Sequence, residues 1–160
     1  MIEPPFTKIL VPVDFSPCSE EAFRVALILA RTFQAELLLL HVIDTKSLAV
    51  FNQLGLLAVP SDAEGQKRRL RHHARLNARR LLESEETKGV TVRRIVMEGG
   101  PFVEIAKTVR MEKVDLVVMG SYGGRSDNVE KIFFGSTAEK VVRTAGCPVL
   151  TVPLPSKPKR

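Results

Sequence analysis

The strongest constraint on this chain is a regular alternation of short apolar runs with segments that repeat at helical spacing. KILVPVD (residues 8–14), ELLLLHVID (Glu36–Asp44), VDLVVMG (residues 114–120) and CPVLTV (residues 147–152) are apolar on both faces, and VTVRRIVME (residues 90–98) alternates. Runs of this length and branching read as strands. Between them, Phe23, Ala26, Leu27, Ala30 and Phe33 recur at helical spacing, as do Leu70, Ala74, Ala78, Leu81 and Leu82, and then Phe102, Ile105, Ala106 and Val109. Strands apolar on both faces that alternate with amphipathic helices imply a parallel sheet covered on both sides. The expected fold class is α/β, with five parallel strands in the order 3-2-1-4-5. A single domain over residues 1–153 is expected, followed by a disordered basic tail at 154–160.

Local signals set the element ends. Ser16 is placed to cap a helix that begins at Pro17, with Glu20 and Glu21 at the positive end of its dipole. Gly89 is read as the stop of the basic helix. Ser136 and Glu139 have capping-box spacing, and Gly146 suits a helix C-terminus. Residues 45–65 read as an irregular connection broken by Asn52, Gln53 and Gly55.

Of the 24 Lys and Arg, seven lie in KRRLRHHARLNARR, from Lys67 to Arg80. The net charge of +6 therefore raises nucleic-acid binding as one reading. The leucine and alanine stripe of the same segment offers another, in which the arginines form the wet side of a packed helix. Two cysteines, Cys18 and Cys147, are too few for a disulfide framework and have no metal-ligand spacing. His41 reads as a packed strand residue. Adjacent His72 and His73 point about 100° apart on a helix, which suits no shared metal. The opening MIEPPFTK has none of the pattern of a signal peptide, so a cytoplasmic location is expected.

The richest segment is VVMGSYGGRSDNVEKIFFGST, which runs from the fourth strand into glycines and closes on Gly135, Ser136 and Thr137. In open parallel sheets, ligands sit beyond the carboxyl ends of the strands where strand order reverses. Gly120, Gly123, Gly124 and Gly135 allow close backbone approach, and the hydroxyls of Ser136 and Thr137 lie beside the free amides of a helix start. One such charge contact contributes only about 0.3–1 kcal/mol. A micromolar ligand needs about 8 kcal/mol, so several donors and an apolar slot must converge. Val13, Asp14, Val42 and Met119, at strand ends, are the candidates for that slot. On spacing alone, ordinary turns explain the glycines equally well. Neither G-x-x-x-x-G-K-[ST] nor G-x-G-x-x-G occurs, and Ser16, Ser121 and Ser136 have no nucleophile motif. No catalytic set can be named. At most a slow ATPase is expected, below about 1 s⁻¹.

Taken together, KILVPVDFSPCSEEAF, LLLLHVID, DLVVMGSYGG, FFGSTAEKVV and CPVLTVP resemble the universal stress protein family, over roughly residues 6–153. The resemblance implies a Rossmann-like, adenine-nucleotide-hydrolase-like fold. It also implies a cytoplasmic stress-response regulator that binds ATP, ADP or AMP; Mg²⁺ is expected with the nucleotide because acidic loop residues near a phosphate are unfavourable without it. Family members that bind nucleotide carry G-x2-G-x9-G-[ST]. Gly120 and Gly123 match the first pair and Gly135-Ser136 the last. By the same resemblance, Asp14 contacts the nucleoside with Pro12, Val42 and Met119 beside it, while the glycines, Ser136 and Thr137 meet phosphates. This chain departs from the motif with eleven residues between Gly123 and Gly135 in place of nine, among them Asp127 and Glu130. That departure keeps open a second reading, a dimeric interaction or chaperone-like module without nucleotide. A homodimer through the edge strand at residues 147–152 is expected, with Val149, Leu150 and Val152 on the open edge and Pro148 and Pro153 limiting its length.

Overall fold

A computed structural model describes residues 5–55, 63–122 and 134–154. Five parallel strands, β1 (Lys8–Pro12), β2 (Glu36–Asp44), β3 (Val92–Gly99), β4 (Leu116–Gly120) and β5 (Val149–Val152), form one sheet in the order β3-β2-β1-β4-β5. The helices are α1 (Pro17–Phe33), α2 (Thr45–Gln53), α3 (Ala63–Leu82), α4 (Pro101–Glu112) and α5 (Ser136–Thr144). The α/β class and strand order agree with the sequence expectation.

Strand alternation divides the core into two layers. Ile9, Val11, Leu37, Leu39 and Val118 point to one face, where Phe23, Ala26 and Leu27 of α1 and Ala78 of α3 cover them. Leu10, Leu38, Leu40, Val117 and Met119 point to the other, beneath Ile105 and Val109 of α4 and Ala138 and Val141 of α5. Successive side chains of a strand face opposite ways, so both layers draw on the same strands.

Several local expectations are corrected. Residues 45–53 are helical: Asp44 accepts from the Ser47 amide at 3.0 Å and caps α2, which buries no residue. Helix α3 packs through Ala74 and Ala78, with Leu81 and Leu82 half-buried against the same core, whereas Leu70 stands outside the stripe at 37% exposed. The small alanines let α3 lie close to the sheet. That helix ends at Leu82, before Gly89; a 3₁₀ turn at Glu85–Thr87 follows, and Gly89 turns the chain with φ of 77°. Ser136 is the first helical residue of α5. The N-cap is Gly135, and no side chain caps this helix. In the edge strand β5, the Val152 side chain packs into the core (8% exposed), whereas Leu150 is 39% exposed.

Candidate functional site

The site begins where β1 ends. After Pro12 and Val13 the chain must leave the sheet and turn into α1. Ser16 caps that helix by accepting from the Ser19 amide at 3.3 Å. The turn is tight because Phe15 adopts a left-handed conformation, with φ of 61°. A bulky side chain holds such a conformation only where its surroundings fix it. Here the Phe15 ring packs on the His41 imidazole at 4.7 Å between centroids, and His41 Nδ1 lies 2.8 Å from the Val13 carbonyl oxygen. His41 is therefore a packed residue that braces the turn. Asp14 is left exposed at its apex, with Oδ1 accepting from the Ser16 amide at 3.0 Å.

Beside Asp14 lies a cavity of about 330 Å³ at the carboxyl ends of β1, β2 and β4. This volume falls in the lower range of small-molecule sites. Val13, Leu40, Val42, Ile105 and Met119 form an apolar slot. Asp14, Ser19, Tyr122, Ser136 and Thr137 supply polar groups at the same cavity. On one side stands the start of α5, whose first-turn amides have no partner within the helix and no side-chain cap. Such a helix start favours negative charge. The arrangement is an apolar pocket with hydroxyls, one carboxylate and an electropositive helix end on its rim.

Nine residues singled out in the sequence line this cavity: Pro12, Val13, Asp14, Val42, Met119, Gly120, Gly135, Ser136 and Thr137. Gly123 lies outside the described residues, as do Gly124, Asp127 and Glu130 of the long loop. Sequence reasoning missed Ser19, Leu40, Pro101, Ile105, Tyr122 and Ala138.

Gly120 has a packing role that the sequence did not disclose. A Cβ there would lie 3.0 Å from Cys18 Sγ and 3.2 and 3.3 Å from the Cys18 carbonyl carbon and oxygen. Its lack of a side chain thus lets α1 seat against β4. Cys18 itself is buried and donates its thiol to the Val152 carbonyl at 3.2 Å, tying α1 to β5. Cys147 is half-buried and unpaired, and burial pushes its thiol pKa up, with Asp115 adding to the shift.

The basic helix is partly neutralised. Arg79 pairs with Glu83 at 2.6 Å, Arg80 with Glu20, and Arg71 with Glu98 at 2.5 Å and Glu64 at 3.5 Å. Hydrogen bonding to Arg71 is the main reason the Glu98 carboxyl is held below its usual range. His72 and His73 have ring centroids 6.3 Å apart, and among the described residues no group of three or more His, Cys, Asp or Glu is placed to hold a metal. No helix of the described residues is long and apolar enough to cross a membrane.

The fold and this cavity define a doubly wound α/β domain with a pocket where the strand order reverses. Comparison with known proteins narrows the class: the sequence profile of the universal stress protein family matches residues 5–153, and the chain belongs to that family. It is 32% identical over 152 residues to universal stress protein MJ0531 of Methanocaldococcus jannaschii, a match that covers 95% of this chain and 85% of that protein. The solved structure of protein MJ0577, from the same organism, superposes with a TM-score of 0.77 at 30% identity and covers 95% of this chain and 99% of its own. A universal stress protein family member from Arabidopsis thaliana, solved with AMP bound, superposes with a TM-score of 0.55 at 25% identity, covering 91% and 90% of the two chains.

Proposed function

We propose that this protein binds an adenine nucleotide in the cavity beside Asp14, with ATP as the physiological ligand, and works as a nucleotide-dependent regulator. The observation that carries this reading is the convergence of an apolar slot, the Asp14 carboxylate and the uncapped start of α5 on one cavity. The base enters the slot between Val42, Ile105 and Met119. Asp14 accepts from the ribose hydroxyls, and its position is fixed by the braced Phe15 turn. The amides of Ser136 and Thr137, with their hydroxyls, receive the phosphates through charge-assisted hydrogen bonds. The site's own groups fit an anion at that end, and Mg²⁺ arriving with the nucleotide would offset the phosphate charge near Asp14. The AMP-bound relative supports the ligand class.

Any hydrolysis is slow, below about 1 s⁻¹, because the sequence carries no recognised nucleophile or base motif. The regulatory output is dimeric: Val149 and Leu150 on the open β5 edge, with the half-exposed Val142 of α5, form the pairing surface. The two unpaired cysteines suit the reducing cytoplasm. The nucleotide content of the purified protein tests the reading. Denatured protein should release adenine nucleotide approaching one per chain, and a Gly135→Val variant that folds normally should release far less. Equal content in the two proteins would contradict the placement of the phosphates.

A further inference from the structure

A second cavity, of about 360 Å³, lies between α3 and the edge strand β3, lined by Arg71, Arg75, Arg94, Val96 and Glu98. It shares no residue with the cavity beside Asp14. The register explains the separation. Arg94, Val96 and Glu98 lie next to Leu39, His41 and Ile43, whereas Leu40 and Val42 at the first cavity point to the opposite face of the sheet. Arg71 and Arg75, four residues apart, share one side of α3, and Ala74 and Ala78 hold that helix against the sheet. Three guanidinium groups from two elements are thereby brought to one hollow, with the partly exposed Val96 among its walls.

The ion pairs decide what this hollow can hold. Arg79 and Arg80 are already matched to carboxylates, and Arg93, on the other face of β3, is held by Glu36 and Glu112. Arg71 is oriented by Glu98, the single carboxylate among the hollow's lining residues, and by Glu64 at 3.5 Å, so the unmatched charge of the hollow is that of Arg75 and Arg94. Arg75 and Arg94 are exposed and have no carboxylate partner among the described residues. A long polyanion would need an unbroken cationic track, and the pairing at Arg79 and Arg80 interrupts it. A compact dianion needs two or three guanidinium forks around one point, which is the geometry Arg provides best for phosphate.

We propose that this hollow is a binding site for a phosphoryl dianion, held between Arg75 and Arg94 with Arg71 as the third donor. The ligand is a small phosphate compound, independent of the nucleotide in the first cavity. The surface position makes the affinity modest and strongly dependent on salt.

The test is a nuclear magnetic resonance titration of the full chain, nucleotide-saturated, with inorganic phosphate and separately with phenyl phosphate. Saturable shifts are expected at the Nε–H signals of Arg75 and Arg94 and the amides around Arg94 and Val96, with Gly135 and Thr137 unmoved. Arg75→Gln or Arg94→Gln should each weaken binding about tenfold, the loss of one charge-assisted fork. Equal affinity for the two probes identifies free phosphate as the ligand, and tighter binding of phenyl phosphate identifies an ester seated on Val96. The proposal is overturned by shifts that grow linearly without saturating. It is equally overturned by Gln variants that bind as the parent does, or by a single-stranded oligonucleotide binding the same residues far more tightly than either probe.

Discussion

Gly120→Ala separates two reasons for a glycine at the end of β4. If the residue were there only to let a ligand approach, a methyl group would reduce nucleotide binding and leave stability alone. The structure says otherwise, because the new Cβ would meet Cys18 at three atoms, Sγ at 3.0 Å and the carbonyl carbon and oxygen at 3.2 and 3.3 Å. Two of those atoms are backbone at the start of α1, and Sγ is engaged with the Val152 carbonyl. None is the free end of a flexible chain, so α1 must shift from β4. Overpacking of this kind costs about 1–3 kcal/mol. For a chain of this size that lowers Tm by about 2–12 °C. The assay is thermal and urea unfolding of the nucleotide-free protein, with Cys18→Ala and the double variant completing a cycle. Cys18→Ala removes the contact at Sγ but keeps the two backbone contacts. The double variant should therefore be more stable than the sum of the single costs, by about 0.5–1.5 kcal/mol. A Gly120→Ala protein as stable as the parent, or strict additivity in the cycle, would refute the packing argument.

Other consequences follow from the same geometry. Gly99 has φ of 147°, and a Cβ there would lie 2.9 Å from Glu104 Oε1, so Gly99→Ala should lower stability by about 1–3 kcal/mol in urea unfolding. Ser16→Ala removes the cap of α1 and should cost about 1 kcal/mol by the same measurement, with weaker nucleotide binding as the Asp14 turn loosens. Glu112 and Glu98 are held below the usual carboxylate range chiefly by hydrogen bonds from Arg93 and Arg71. A depressed folded pKa stabilises above the unfolded value of about 4.3 and is lost as pH falls through the folded one. Acid unfolding of Arg93→Gln should therefore depend less steeply on pH below about 4.3 than that of the parent, and the difference should shrink in high salt.

That the sheet is parallel and covered on both sides was readable because β1, β2 and β4 are apolar on both faces, and the strand order then follows the one this topology favours. β2 was legible to its ends, Glu36 and Asp44, since these two acidic residues bracket a run that is apolar but for His41. Helix α2 was missed for a physical reason: it buries no side chain, so it leaves no stripe, although Asp44 three residues before Ser47 is a capping signal in the chain. At the pocket, the strand-end and glycine-loop residues could be named from the sequence. The wall formed by Pro101 and Ile105 depends on how α4 crosses the sheet, which spacing alone does not convey. The role of Gly120 was hidden because its neighbour Cys18 is remote in sequence. The same holds for the hollow at Arg75 and Arg94, where the sequence displays the charge but not which arginines are already paired.

The central claim is that the cavity beside Asp14 takes an adenine nucleotide, and calorimetric titration of Mg-ATP into the nucleotide-free chain tests it most directly. The account predicts one saturable site per chain with a Kd near the micromolar range, about −8 kcal/mol. Asp14→Ala should weaken that binding severalfold. A parent protein that gives no saturable heat up to millimolar Mg-ATP, while remaining folded, would contradict the account. The cavity would then be a feature of the fold with another occupant or none.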